Sequence, residues 1–185
     1  MYASATFNPS FLSRMHGWSG VEIGRLVALV GLTGLLGTFL GGFATDRLSA
    51  RLQDSRWMMW VPGLATLLVI PVQLVAYLWA GLPMFVAFLC SSLLSLVYFG
   101  PSYATVQALA RPQMRAVAAS LLLSSKAIIG MGLGPLLVGI ASDLLAPVAG
   151  IYSLRLGMLL VPLFNLWAAA HFFIGARYLR EELKR

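Results

Sequence analysis

A lysine, two serines and a tyrosine are the residues of this chain best suited to chemistry. Lys126 stands within the apolar run 116–145 and is the only charged side chain well inside such a run. An ammonium at that depth in hydrocarbon costs about 2.5–3.5 kcal/mol on insertion scales, so it needs a reason to be there. One reading is a cation facing a polar cavity, holding an anionic solute or headgroup. Adjacent Ser125 would extend that polar lining. The other reading is a lysine at a helix interface that snorkels or is neutralised by burial. Ser91, Ser95 and Tyr98 recur at spacings of four and three, which places them on one face of a helix. That stripe can hydrogen-bond a polar ligand, or its serines can satisfy themselves on the preceding turn. Asn8 is a further candidate for the same lining.

The other charges mark boundaries. Glu22, Asp46, Asp54, Asp143, Glu181 and Glu182 all lie at the ends of apolar runs or between them. Asp46 and Arg47 follow Gly41 and Gly42 between two membrane-length segments. The stretch 41–51 therefore reads as a short charged hairpin at a membrane surface, because its charges cannot enter hydrocarbon cheaply. His16 and His171 are far apart and have no acidic partner at motif spacing. The sequence holds no HExxH, no GxSxG and no cysteine cluster, so neither an enzyme, a metal site nor a bound cofactor is expected. Cys90, the single cysteine, cannot form an intrachain disulfide.

These residues need elements to hold them, and the composition says which. Of 185 residues 59% are hydrophobic and 10% charged, with mean hydropathy +0.86. A soluble domain carries about 25% charge. The reading is an all-α polytopic membrane bundle of five full transmembrane helices plus one partial N-terminal helix. The spans are expected at about 1–13 (partial), 21–43, 57–79, 83–107, 116–145 and 151–176, with a basic cytoplasmic tail over 177–185. Gly24, Gly31, Gly34, Gly37 and Gly41 recur at helical spacings and give the second helix a groove of small residues for close packing. Gly130, Gly134 and Pro135 predict a kinked, closely packed helix.

Orientation provides a consistency test. With the 41–56 stretch placed in the cytoplasm, nine of the thirteen basic residues fall on that side: Arg47, Arg51, Arg56, Arg111, Arg115, Arg177, Arg180, Lys184 and Arg185. That agrees with the positive-inside rule. The net charge of +7 sits in these short segments, with no basic face on a soluble domain, so a nucleic-acid partner is not expected. Membrane lipid is the expected surrounding. The expected location is the bacterial inner (plasma) membrane, with the C-terminus in the cytoplasm.

The pattern Gly42-x-x-x-Asp46-Arg47-x-x-x-Arg51 resembles the signature loop of the major facilitator superfamily of transporters. The usual glycine and basic residue after the Asp-Arg pair are replaced here by Ser49 and Ala50. Asn8-Pro9-x-x-Leu12 with Gly17-x-Ser19 resembles the end of that family's seventh helix. Gly100-Pro101-x-Tyr103-Ala104-x-x-Gln107 with Arg115-Ala116 resembles its tenth helix and the loop that follows. Gly132-x-Gly134-Pro135-x-x-x-Gly139-x-x-x-Asp143 is similar to the eleventh helix of the spinster-like branch.

The resemblance covers almost the whole chain. It implies the C-terminal half of a secondary transporter whose partner is a missing N-terminal half. The small-molecule substrate, an organic or lipid-like solute, would move by gradient-driven alternating access. The resemblance also implies that Gly42, Asp46, Arg47 and Arg51 form a gate, with Asp46 facing the N-terminus of the helix that begins near 116. It implies that Asn8, Ser91, Ser95, Tyr98, Ser125 and Lys126 line a cavity between two bundles. Basic residues that merely signal topology are the plainer account of the same loop. The rival reading of the whole chain is a non-transporting membrane module that packs against a partner membrane protein through its glycine faces.

Overall fold

The computed structural model describes residues 2–182, and every regular element among them is helical. Helix α1 spans Tyr2–His16 and α2 spans Gly20–Leu52. Helix α3 spans Trp57–Leu78, α4 Leu82–Leu96 and α5 Phe99–Leu109. After a short 3-10 turn come α6 (Arg115–Ser125), a π-helical segment (Lys126–Leu133) and α7 (Gly134–Ala149). A second 3-10 turn leads to α8 (Ser153–Met158) and α9 (Leu160–Glu182).

Four helical stretches are long and apolar enough to cross a membrane: Gly20–Leu52, Trp57–Leu78, Leu82–Leu109 and Pro112–Glu182. The last would measure about 100 Å if straight, some three times the hydrocarbon thickness. It folds back on itself instead. Gly150 takes φ +53°, and α8 returns along α7. Ser142 and Ser153 then meet at 3.4 Å, and Gly157 lies against the backbone of Val138 and Ser142. The sequence reading of five full spans thus meets four continuous apolar helical stretches, because the last two runs are joined without an unwound linker.

Local signals explain most boundaries. Ser19 and Glu22 form a reciprocal capping box at the start of α2, with Ser19 N–H donating to Glu22 Oε2 at 2.8 Å. Pro101 lacks the N–H that would reach the carbonyl of Val97, and α4 gives way to α5 across Val97 and Tyr98. Pro135 likewise lacks the N–H for the Met131 carbonyl. Upstream of it the backbone has widened to π geometry, and Gly134 N–H reaches the Ile129 carbonyl five residues back.

The expected hairpin over 41–51 is not there. Nothing in Ser49-Ala50-Arg51 breaks a helix, so α2 runs on through Asp46, Arg47 and Arg51 to Leu52. The turn falls at 53–56. Gln53 adopts the left-handed conformation, φ 50° and ψ 38°, and its N–H caps the Ser49 carbonyl. The helix thus continues nine residues beyond 43, where the apolar span was expected to end. The expected basic tail is helical over its described part. Residues 177–182 continue α9, and 183–185 lie outside the described residues.

In the true turn, Asp54 accepts from Arg56 Nε at 2.9 Å and from Arg56 Nη2 at 2.6 Å. The Arg56 side-chain bonds, then its backbone N–H, hold the Asp54 carboxyl down at about 2, against an ordinary 3.8. A lowered carboxylate pKa contributes stability above its unfolded value and loses it as pH falls. The Arg56–Asp54 contact should therefore be intact above about pH 4 and be lost as pH drops through about 2. Titration of the Asp54 carboxyl carbon by NMR checks this. In Arg56→Gln the midpoint should return towards 3.8; an unchanged midpoint would refute the assignment.

The core forms where α1, α3, α4, α7 and α8 meet. Phe11 is fully buried there, with its ring edge-on to Tyr77 at 5.8 Å and to Phe88 at 6.5 Å. Elsewhere large apolar side chains point outward: Leu35 and Phe39 are each 69% exposed and Val148 is 90% exposed. Outward apolar residues with inward packing suit a solvent of lipid. Two open apolar grooves, of about 430 and 290 Å³, mark the same surface. One is lined by Val72, Leu82, Val86 and Cys90, the other by Leu40, Leu48, Val61 and Leu64.

Candidate functional site: a caged lysine between two irregular helices

Lys126 sits where α6 passes into the π segment. Its ammonium Nζ lies 4.0 Å from the ring centroid of Phe99, 4.7 Å from Tyr103 and 4.8 Å from Tyr98. All three rings come from the start of α5, beside the break that Pro101 imposes. Positions 98, 99 and 103 share one side of that turn, and the Phe99 and Tyr103 rings pack at 5.1 Å. Rings present negative faces to a cation, each contact being worth about 0.5–2 kcal/mol. The ammonium is otherwise buried without a hydrogen-bond partner among the described residues. All three of its N–H donors are therefore unspent.

One turn further, Gly130 makes room for the ring of Tyr2: a Cβ there would lie 2.6 Å from it. Gly134 faces Ala3 and Gly139 faces Phe7, so α1 lies along the π segment and α7 through these small residues. The site is thus bounded by α1, α5 and the π segment.

The other expected lining residues are placed less uniformly. Tyr98 is in the cage. Ser91 and Ser95 are half-buried on α4, with no side-chain hydrogen bond among the described residues; Ser92 instead donates to the Val30 carbonyl at 2.6 Å. Ser125 is exposed. Asn8 is half-buried on α1, and its Oδ1 is buried without a partner among the described residues. Of the expected packing glycines, Gly34 faces Ser92 and Leu96, but Gly31 meets nothing within 4 Å of where its Cβ would be. The working face is Gly34, Gly37 and Gly41, set against the backbone of Leu93 and Val97 on α4. Gly31 lies off this face because nothing of α4 comes within reach of it.

The expected gate residues lie on the last turns of α2. Asp46, Arg47 and Arg51 are exposed, and Asp46 has no partner among the described residues. Arg47 rests over the Phe43 ring at 5.8 Å. Gly42 does serve a contact, since its backbone lies 3.7 Å from where a Gly100 Cβ would stand.

Two polar contacts were not legible beforehand. Asn165 Nδ2 donates to Gln73 Oε1 at 2.7 Å, joining α9 to α3 at a glutamine only 1% exposed. Tyr77 donates to Ser4 at 3.0 Å, joining α3 to α1. Amides at 73 and 165, each alone in an apolar run, were the available signal.

No protein-family model matches the chain. An "MFS-type efflux pump" of Mycolicibacterium smegmatis (strain ATCC 700084 / mc(2)155) is 35% identical over 184 residues, which is 97% of this chain and 42% of that protein. Among solved structures, a bacterial homologue of the human lysosomal transporter Spinster, inward-facing and unoccupied, superposes with TM-score 0.86 at 26% identity over 98% of this chain. The occupied inward-facing form superposes with TM-score 0.77 at the same identity. This chain belongs to the major facilitator superfamily. It corresponds to a C-terminal half, and it spans less than half the length of each of these relatives.

In chain order the helices group as α1, α2, α3, α4–α5, α6–α7 and α8–α9, the last two groups being joined at Gly150. The Asp46-Arg47 motif of the superfamily is carried here on continuous helix, at the α2 end that precedes the 53–56 turn. The caged lysine opens the π segment that leads to Gly134-Pro135, and it faces the start of α5, which carries Gly100-Pro101.

Proposed function

We propose that this chain is one bundle of a secondary active transporter in a bacterial inner membrane. It would move a small organic or lipid-like solute by gradient-driven alternating access, and it would form one wall of a cavity closed by a second bundle. The observation that carries this reading is the match along 98% of the chain to less than half of an inward-facing transporter. The two apolar grooves described above are open to the surroundings. A site between two bundles answers that, as in other inverted-repeat transporters.

Within this reading Lys126, Tyr98 and Asn8 are the cavity residues. Lys126 and Asn8 carry buried polar atoms without partners, which is the condition of a wall awaiting a ligand or a facing bundle. Asp46, with Arg47 and Arg51, forms the cytoplasmic gate. Its free, exposed carboxylate supports that role, because a gate must be able to make and break its contact.

The test is uptake of a lipophilic dye into everted vesicles bearing this chain together with a facilitator N-terminal half. Uptake should require an ion gradient and persist without nucleotide. In Asp46→Asn it should fall at least about tenfold as inward-facing states accumulate, the loss of one charged contact being worth about 1.5–3 kcal/mol. Uptake that survives collapse of every gradient would overturn the reading. Absence of uptake in all forms would assign the chain to the packing-module alternative.

A further inference from the structure

Lys126 is held by rings alone, although an ammonium makes its strongest bonds to oxygen anions. Its cage is built from two irregularities that face each other. The rings sit at the α4–α5 break, and the lysine opens the π segment. Neither element has its full ladder of i to i−4 bonds there, because Pro101 and Pro135 remove donors. The contact therefore ties together two places where the helical hydrogen-bond ladder is incomplete. Among the described residues no acid is paired with Lys126 and none lies well inside a span, so nothing in this chain competes with the rings. Tyr98 and Tyr103 bring phenol rings to the ammonium, and the Tyr2 ring sits one turn further on against Gly130.

We propose that the cage is a holding position for Lys126, and that the ligand which empties it is an amphiphile bearing an anionic oxygen group, such as a phosphate or carboxylate. The anion supplies the three acceptors that the ammonium lacks, and phenol hydroxyls of the cage donate to the same group. The apolar remainder lies along the exposed Ile129 and Leu133 of the π segment. Withdrawal of Lys126 uncouples α5 from the π segment, so binding and helix movement are one event. The proposal rests on the cavity reading above, but its test needs no transport.

The chain has two lysines, Lys126 and Lys184. Lysine labelled with 13C at Cε therefore gives two signals in the full chain in nanodiscs, assigned with Lys184→Arg. The Lys126 signal should be displaced upfield by the three rings. Dodecyl phosphate should move it towards the position of an uncaged lysine. Dodecyltrimethylammonium, with the same tail and opposite charge, should not. Lys126→Gln should weaken dodecyl phosphate binding at least about tenfold, the usual scale for a lost charged hydrogen bond. Phe99→Leu, which keeps an apolar side chain but removes the nearest ring, should bring the free-state signal back towards the ordinary position. A Lys126 signal that stays put at saturating dodecyl phosphate, or moves equally with the cationic amphiphile, would overturn the proposal. So would undiminished binding in Lys126→Gln. Transport assays on the same variants report on the transporter reading separately.

Discussion

Gly37→Ala is expected to destabilise the bundle by about 1–3 kcal/mol, the usual range for forcing atoms into a filled interface. A Cβ at Gly37 would collide with the backbone carbonyl of Leu93, and one at Gly41 would collide with that of Val97. Backbone cannot step aside as a flexible side chain can, so α2 must lift away from α4 along their shared face. Ser92 would then lose its bond to the Val30 carbonyl as well. Gly31→Ala is the matched control. It lies on the same helix with open space around it, and it should gain up to about 0.5–1 kcal/mol from helix propensity. Reversible unfolding of both variants by SDS titration in mixed micelles measures the pair. Equal effects at positions 31 and 37 would mean that α2 and α4 do not pack as described.

Gln73→Leu is expected to cost about 1–3 kcal/mol, more than the bond it removes. Interhelical hydrogen bonds in membranes average only about 0.6 kcal/mol. The larger part is the Asn165 amide, left at the α3–α9 interface without an acceptor. Replacing both partners, Gln73→Leu with Asn165→Leu, should recover most of that loss, because the orphaned donor is gone. A double-mutant cycle on unfolding free energy decides it. Additive costs would show that the two amides are independently satisfied and that the 2.7 Å contact carries no coupling.

The contrast between these sites shows what patterning can and cannot reveal. The glycine spacing on α2 was visible, and it indicated close packing. Which glycines pack depended on where α4 crosses, and Gly31 lost its place for that reason alone. Gln73 and Asn165 are 92 residues apart. Periodicity is a local property, and only the fold brings two isolated amides opposite each other. The Asp46-Arg47 motif was read at the right place and in the wrong conformation. Charge marks where a chain must leave hydrocarbon, but a helix can carry charge several turns beyond the membrane face, and α2 does so to Leu52.

Lys126 makes the same point at the candidate site. Its depth in an apolar run was legible, and so was a choice between a cavity cation and an interface lysine. The cage was not, since Tyr98 was grouped with Ser91 and Ser95 on one unbroken helix. Past the interruption after Leu96, Tyr98, Phe99 and Tyr103 close around the ammonium. Pro101 was in view, but the direction a helix takes after a break is set by what it packs against.

By itself the sequence determined that this is a membrane helix bundle, which runs are apolar, and that one cation lies deep in an apolar run. These follow from transfer free energies, which each residue carries wherever it is. The tertiary structure alone decided which glycines touch backbone, which amides pair, and which rings close on Lys126. Those depend on helix crossings and on the breaks at Pro101 and Pro135, and a contact between distant residues exists only once the packing has chosen it.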